Sequence, residues 1–434
     1  MTITVIGAGY VGLTVGTIFA EQGHTVWVVR RDEKKIQDLK RGVIPFYEPG
    51  IEEIVRRNIT NGRLRPTTSF SDSVPTSDIV FICVGTPPLA DGRADLSQVF
   101  AATEEIARNL KPGYTVVVNK STVPIGTAVQ VNDILQRCKS ADAQCSVASC
   151  PEFLREGSAV HDTMNPDRII IGTEDERARQ LLESLHSSLG GERVYCNIKT
   201  AEMIKYASNS LLATEISFIN SIASLCERVG ANVEDVARGM KLDKRIGRYA
   251  FLDAGCGYGG SCFPKDVKAL VQMAREHGSP LPLLEAVESV NEMQKSIVYR
   301  KLCETIGSVR GKTIAIWGIA FKPKTDDIRE APALRLIDAL LHNGARVVAY
   351  DRVAEENARV LFPDVTYCPE PMEAVANADA LCILTEWEEF RWPDMQRMRE
   401  HMKFPVIIDG RNLYSPTAMH AMGFTYKSIG RPSV

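Results

Sequence analysis

Short, unbroken apolar runs alternate with stretches of helical spacing, and the rhythm occurs twice along the chain. TITVI at 2–6 is a run of strand length, GAGYVG turns the chain, and apolar positions over 11–23 recur at helical spacing as far as Gly23. TVWVV at 25–29 is the next run, followed by DIVFICV at 78–84, TVVV at 115–118 and runs at 145–149 and 168–171, with helical stretches between them. Strands apolar at every position are covered on both faces, as in a parallel sheet flanked by helices. The pattern predicts a doubly wound parallel sheet over about 1–195.

The rhythm breaks near residue 200. TAEMIKYASNSLLATEISFINSIASLCERVG has no internal Pro or Gly and keeps helical spacing throughout, which predicts one long helix, and a second helical block covers about 280–306. After about 310 the first pattern returns: KTIAIWGIAF as strand and glycine turn, APALRLIDALLHNG as a helix capped by glycine, and ARVVAYD as a strand ending in Asp351. The expected architecture is α/β, two Rossmann-like doubly wound domains joined by a long central helix. The expected segments are a dinucleotide-binding domain over 1–198, a central helical segment over 199–305 and a second Rossmann-like domain over 306–434. The turn of the second unit has a single glycine, Gly318, so no second dinucleotide is expected to rest its pyrophosphate there.

The chain's 434 residues suffice for two or three domains. A formal charge of -3 and the lack of a polybasic run give no attraction to nucleic acid or anionic membrane. No apolar run reaches membrane-spanning length. The first strand begins at once, without a basic leader or cleavage signature, so a cytoplasmic protein is expected. Its 11 cysteines are scattered without a CxxC pair, and its 7 histidines lack ligand spacing, so neither a disulfide framework nor a metal is expected.

GAGYVG fits GxGxxG between a strand and a helix. Gly7 permits the tight turn, Gly9 the approach of a pyrophosphate, and Gly12 close packing of helix on strand, while the helix N-terminus offers unpaired N–H groups to the anion. At the end of the second strand, where an acid usually accepts the ribose hydroxyls, stand Arg30 and Arg31, with Asp32 next. An arginine there can pair with a 2′-phosphate, which leans toward NADP; alternatively Asp32 supplies the acid by a register shift, or both arginines are solvated.

GCGYGGSCFPKD at 255–266 places Cys262 in a glycine-rich turn before Lys265 and Asp266. Cys262 by itself would more often be an inert buried thiol; beside a nicotinamide site it points to an alcohol oxidised to an acid through a thiol-bound aldehyde. Lys205 and Asn209, four apart on the expected long helix, share a face and can grip an oxyanion. Glu152 and Glu156 in PEFLREGSA, with Arg155 between, are either paired carboxylates that position water or an ion-paired helix start. Thr122 in KSTVP follows an apolar strand, where ligands sit in such sheets.

GAGYVG, VGTP at 84–87, KSTVP, PEFLREG, EMIKYASN, RIG at 245–247, GGSCFPKD, FKPKTDDIR at 321–329 and IDGRN at 408–412 together resemble the UDP-glucose 6-dehydrogenase family, in family order over essentially the whole chain. The resemblance implies a two-step, NAD-dependent oxidation of UDP-glucose to UDP-glucuronate by a dimer whose interface includes the long helix. By position it implies Cys262 as nucleophile, Lys205 and Asn209 at the oxyanion, and Asp266, Glu152 and Thr122 at the water. Cofactor contacts implied are Gly7, Gly9, Tyr10, Val11, Gly12, Arg30, Arg31, Lys35, Val84, Gly85, Thr86, Ser121, Thr122, Glu156, Lys265 and Arg329. For the substrate they are Glu152, Phe153, Leu154, Arg155, Lys205, Asn209, Phe251, Leu252, Gly255, Gly259, Phe321, Lys322 and Arg411, with Arg245 reaching the sugar nucleotide of a neighbouring subunit.

Two departures stand out. The family commonly has an aspartate where Arg30 stands, and RYAFLDAGCGYGG is one residue longer than usual, with Asp253 where a lysine is frequent. The rival expectations are a sister enzyme acting on GDP-mannose or UDP-N-acetylhexosamines, from which CFPKD differs (those acting on UDP-hexosamines tend toward CIPVD), and a non-catalytic nucleotide-binding homologue, which would be expected to have lost one of Cys262, Lys205, Asn209 and Asp266.

Overall fold

The computed structural model describes residues 1–432. The chain forms two compact units, Met1–Ser208 and Asn209–Val434.

In the first unit, β1 (Thr2–Ile6), β2 (Thr25–Val29), β3 (Leu64–Thr67), β4 (Ile79–Ile82), β5 (Gly113–Asn119), β6 (Ala143–Ser149), β7 (Arg168–Gly172) and β8 (Glu192–Cys196) form one sheet in the order β3-β2-β1-β4-β5-β6-β7-β8. The apolar runs are buried on both faces. Ile3, Val5, Ile79, Phe81, Val116 and Val118 fill the core on one side, while Ile6, Val80, Ile82 and Val117 fill the other. Alternate residues of one strand thus belong to different cores, so every position is apolar.

The sheet is not parallel throughout, as the pattern predicted. β6 and β7 are antiparallel, and Ser149 pairs with Gly172, the last residue of β7. The cause lies in residues 150–167. They carry only a short helix, Ala159–Met164, and not the longer crossover helix that joins parallel neighbours, so the chain re-enters the sheet in the opposite direction. The predicted helix over 11–23 is Tyr10–Glu21, and Gly23 lies past its cap at φ +94°.

In the second unit, β9 (Thr313–Trp317), β10 (Arg346–Tyr350), β11 (Thr366–Tyr367), β12 (Ala380–Ile383), β13 (Val406–Asp409) and β14 (Thr425–Lys427) form a sheet in the order β11-β10-β9-β12-β13-β14, parallel at every pairing. Both units therefore carry the doubly wound Rossmann-like strand order. The second glycine turn is closed from within: the Asp351 carboxylate accepts the N–H groups of Ile319 at 2.7 Å and Ala320 at 3.0 Å. Those are the amides a phosphate would need at such a turn.

The long helix is Ile198–Val229, 32 residues and so roughly 48 Å. The boundary between the units falls within it. No helix among the described residues is long and apolar enough to cross a membrane.

Candidate active site

The first unit holds a cradle for a dinucleotide. Gly7 has φ +111°, and a Cβ there would lie 2.5 Å from the Cys83 carbonyl oxygen; one on Gly12 would lie 2.0 Å from the Gly7 carbonyl oxygen. A Cβ on Gly9 would meet nothing. Gly9 caps the helix Tyr10–Glu21 without a side-chain acceptor for its first N–H groups. The turn is thus compressed on its protein side and open where a pyrophosphate would approach, so these residues fit the cofactor. Tyr10 stacks on Phe46 at 3.9 Å and donates from its hydroxyl to the Tyr47 carbonyl at 2.6 Å, so its ring and Val11 flank the helix start.

Arg30 Nη1 donates to the carbonyl of Ala8 at 3.3 Å, which draws its guanidinium to the glycine turn. Arg31 and Lys35 are exposed. Asp32 caps the helix Glu33–Lys40 and accepts the Lys35 N–H at 3.0 Å, so one of its oxygens is already engaged. Two loops close the far side of the cradle: Val84-Gly85-Thr86 after β4, and Ser121-Thr122 after β5. Ser121 Oγ donates to the Val84 carbonyl at 2.7 Å, and Thr86 Oγ1 to the Thr122 carbonyl at 2.9 Å, tying the loops together.

PEFLREGSA is a loop and not a helix start, so Glu152 and Glu156 do not share a helical face. Glu152 meets the Lys205 ammonium at 3.0 Å, and both are buried. The same ammonium lies 5.2 Å from the ring centre of Phe153, whose other cationic neighbour is Arg168 at 4.0 Å. Glu152 also accepts the Leu154 N–H at 2.7 Å. Glu156 is buried. Arg155 turns away from both glutamates to Asp162 at 2.8 Å, and that pairing holds the Asp162 carboxyl below its usual range against the opposing effect of its burial.

In the second unit Cys262 is exposed and caps the helix Phe263–Glu276, with Pro264 in its first turn. A helix N-terminus favours negative charge on a group placed there. Asp266, in the same first turn, is buried and accepts a hydrogen bond from the Asn209 amide at 2.6 Å and pairs with Lys265. The turn before Cys262 is pressed against neighbouring backbone. A Cβ on Gly259 would lie 2.4 Å from the Glu330 carbonyl oxygen, and one on Gly260 would lie 2.8 Å from the Phe321 ring. The Gly260 N–H donates to the Arg329 carbonyl at 2.8 Å, and a Cβ on Gly255 would approach Arg411. Arg411 is fixed by the carbonyls of Leu384 at 2.7 Å and Phe321 at 3.0 Å. Lys322 lies over the Phe321 ring at 5.6 Å, while Arg329 folds back onto Asp327.

Within the first unit the structure therefore gathers Glu152, Phe153, Leu154 and Lys205, and separately the glycine turn with Arg30 and the two closing loops. Within the second it gathers Cys262, Lys265, Asp266 and Asn209, and the 255–260 turn with Phe321, Arg329 and Arg411. Leu252 has its side chain in the apolar core, which leaves only its backbone for a ligand, and Phe251 is exposed with its N–H on Glu215 at 2.8 Å. Arg245 is exposed and held by Asp243 at 2.6 Å, and Asp253 pairs with Lys241 at 2.9 Å.

Two buried carboxylates that hold loops of the first unit's site escaped the sequence reading. Glu48 accepts the N–H groups of Gly157 at 2.6 Å and Ala159 at 2.8 Å, fixing the PEFLREGSA loop across 109 residues of sequence. Glu202 accepts those of Gly126 at 2.7 Å and Ala128 at 3.1 Å, fixing the KSTVPIG loop. Nothing local marks Glu48. Glu202 had a signal, because it precedes Lys205 by three positions and Asn209 by seven on one helical face.

Comparison with known proteins agrees along the whole chain. Family models of the UDP-glucose/GDP-mannose dehydrogenase family match residues 1–190 (NAD binding domain), 199–293 (central domain) and 315–416 (UDP binding domain). The chain is 50% identical to the UDP-glucose 6-dehydrogenase of Rhizobium meliloti, covering 100% of both chains, and 49% identical to UDP-glucose 6-dehydrogenase TuaD of Bacillus subtilis, covering 100% of this chain and 94% of that one. Among solved structures, a UDP-glucose dehydrogenase from the archaeon Pyrobaculum islandicum superposes with a TM-score of 0.91 at 37% identity, covering 100% of this chain and 97% of that one.

Proposed function

The chain belongs to the UDP-glucose/GDP-mannose dehydrogenase family, and from that premise we propose that it oxidises C6 of UDP-glucose to the carboxylate of UDP-glucuronate in two NAD(P)-dependent steps. The bound nicotinamide supplies a hydride acceptor at each oxidation. Cys262 is the nucleophile: its sulfur adds to the C6 aldehyde as a thiohemiacetal, the second oxidation leaves a thioester, and water breaks the C–S bond to release acid and thiol. Covalent capture divides a four-electron change into tractable parts. Lys205, with Asn209, steadies the oxyanion. Asp266 and Glu152 order water, with Thr122 assisting.

The observation that carries this mechanism is the placement of Cys262, an exposed thiol at the start of a helix whose first turn buries Asp266 against Asn209. Residues 1–198 serve the cofactor, 199–305 carry the long helix and the thiol, and 306–434 take the UDP. Phe321, Lys322 and Arg411 contact the substrate. The enzyme works as a homodimer, with Arg245 reaching the neighbouring subunit's substrate.

NADP serves at least as well as NAD. Arg30 supports this, since its guanidinium is drawn to the glycine turn while Asp32 is engaged as a helix cap. The test measures reduced cofactor and product for UDP-glucose with each cofactor, in the unmodified chain and in Arg30→Asp. Two reduced cofactors per UDP-glucuronate are expected, as is a shift toward NAD of about ten- to a hundredfold in kcat/KM for the variant, from one charge-assisted contact. Accumulation of the free aldehyde with one reduced cofactor rejects the thioester route. A more than roughly tenfold preference of the unmodified chain for NAD rejects the phosphate pairing.

A further inference from the structure

We infer that Glu202 is a positioning residue for the oxidation: one helical turn before Lys205, its carboxylate ties the loop bearing Ser121 and Thr122 to the long helix, and the tie is complete only while that carboxylate is ionised. The inference rests on the proposed roles of Thr122 and Lys205.

The segment Lys120–Gly126 has no regular structure between β5 and the helix Thr127–Cys138. That helix begins at Gly126, with φ +93° and no side chain to cap it. Its cap comes instead from Glu202. One carboxylate oxygen takes the Gly126 N–H and the other the Ala128 N–H. A negative charge at a helix N-terminus is favourable, and each oxygen satisfies an N–H that the helix cannot satisfy itself. The loop is thereby pinned at its far end to the helical turn that delivers Lys205 to Glu152.

The tie is charge-dependent. Glu202 is 2% exposed. Burial pushes its carboxyl up to about 7, against the two N–H bonds and the Lys199 ammonium, which favour the anion, and with the Glu174 carboxylate, which disfavours it. From the capped helix two backbone N–H groups face it, those of Gly126 and Ala128. A proton on either oxygen sets a donor against an N–H, so one of the two bonds is lost. The folded chain holds this proton more tightly than the unfolded chain. The group's contribution to stability is therefore fully present below the ordinary carboxylate range and is lost as pH rises through about 7. At neutral pH and above the ionised carboxylate weakens the fold while it completes the tie, as expected of a group that serves placement and not stability.

The test compares the unmodified chain with Glu202→Gln. It measures kcat and KM for UDP-glucose over pH about 5.5 to 9, melting temperature, and amide hydrogen exchange over residues 126–128 without substrate. In the unmodified chain, kcat falls on the acid side with a midpoint near 7, and protection over 126–128, the intrinsic exchange rate at each pH relative to the observed one, falls across the same range. In Glu202→Gln, kcat drops about 10- to 100-fold, as a misplaced group on a loop would produce. The midpoint near 7 disappears, protection over 126–128 is low at every pH, and the melting temperature at pH above 7 is not lowered. Unchanged kcat with the same acid limb in the variant overturns the inference. So does protection over 126–128 that stays constant with pH in the unmodified chain, a result that decides the matter even if the variant does not fold. An unmodified chain that fails to oxidise UDP-glucose defeats the proposed function instead, and the exchange measurement still judges the tie.

Discussion

Cys262 is exposed, whereas Cys83, Cys150, Cys226, Cys256 and Cys382 are buried, as free cysteines usually are. Burial pushes the Cys83 thiol up to about 12, which leaves it inert near neutrality. The difference is one of position: Cys262 caps a helix, where an anion is favoured, and a glycine turn brings it to the surface. Serine in its place would keep the geometry and exchange a good leaving group for a poor one. Cys262→Ser is therefore expected to retain UDP-glucose binding by calorimetry while turnover to UDP-glucuronate falls at least about a thousandfold, some 4 kcal/mol of barrier. Near-normal acid formation by that variant would exclude the covalent route. Residue identity was legible in the sequence at such positions, because a GxGxxG turn or a lysine and an asparagine four apart on a helix carry their geometry with them. Partners were not. Arg155 lies between two glutamates in sequence yet bonds Asp162, and Asp32 is engaged by the N–H of Lys35 three residues on.

The central strands of the first sheet and the long helix were legible because burial on both faces of a sheet demands unbroken apolar runs, and a 32-residue helix demands a stretch free of Pro and Gly; β3, β8 and β11 to β14 were not predicted. The reversal at β7 was not, since its cause is the path of the 150–167 loop and not the composition of the strand. Nor were Glu48 and Glu202, each of which holds a loop from far along the chain. Glycines show how an element's context decides a substitution. Gly259 has backbone where a Cβ would go, 2.4 Å from the Glu330 carbonyl oxygen, while Gly239, on the exposed face of the helix Val233–Lys241, has nothing within 4 Å. The same methyl group should act oppositely at the two sites. Gly239→Ala is expected to stabilise by about 0.5–1 kcal/mol through helix propensity. Gly259→Ala is expected to destabilise by about 1–3 kcal/mol through overpacking and to lower turnover as well, because the turn it displaces leads into Cys262. A melting temperature that does not fall in Gly259→Ala would show that the 255–260 turn tolerates displacement, and one that falls in Gly239→Ala would refute the gain from helix propensity.

At the scale of the whole molecule, the long helix leaves Leu211, Phe218 and Leu225 exposed at 61%, 47% and 55%. They recur every seven residues and so form one stripe along the helix. An apolar stripe of this kind on a surface helix needs a cover, and the dimer proposed above would supply it from a second copy. Leu211→Asp with Phe218→Asp should then lower the mass seen by light scattering to that of one chain; an unmodified chain already at that mass would refute the dimer. Arg245 allows a sharper test, because it is exposed and, among the described residues, pairs with Asp243 of its own loop. If it completes the neighbouring subunit's site, Arg245→Ala and Cys262→Ser should each be inactive alone yet complement when coexpressed. In a mixed dimer, the site that keeps its own Cys262 receives Arg245 from the other chain and is whole. The opposite site has serine at 262 and stays dead. With random pairing, half the dimers are mixed and each has one working site of two, so activity should recover to about a quarter of the unmodified level. Recovery should vanish when the stripe variants are introduced into both chains. If coexpression restores nothing while mixed dimers are demonstrably present, Arg245 acts within its own chain, and the two subunits then share a surface without sharing a site.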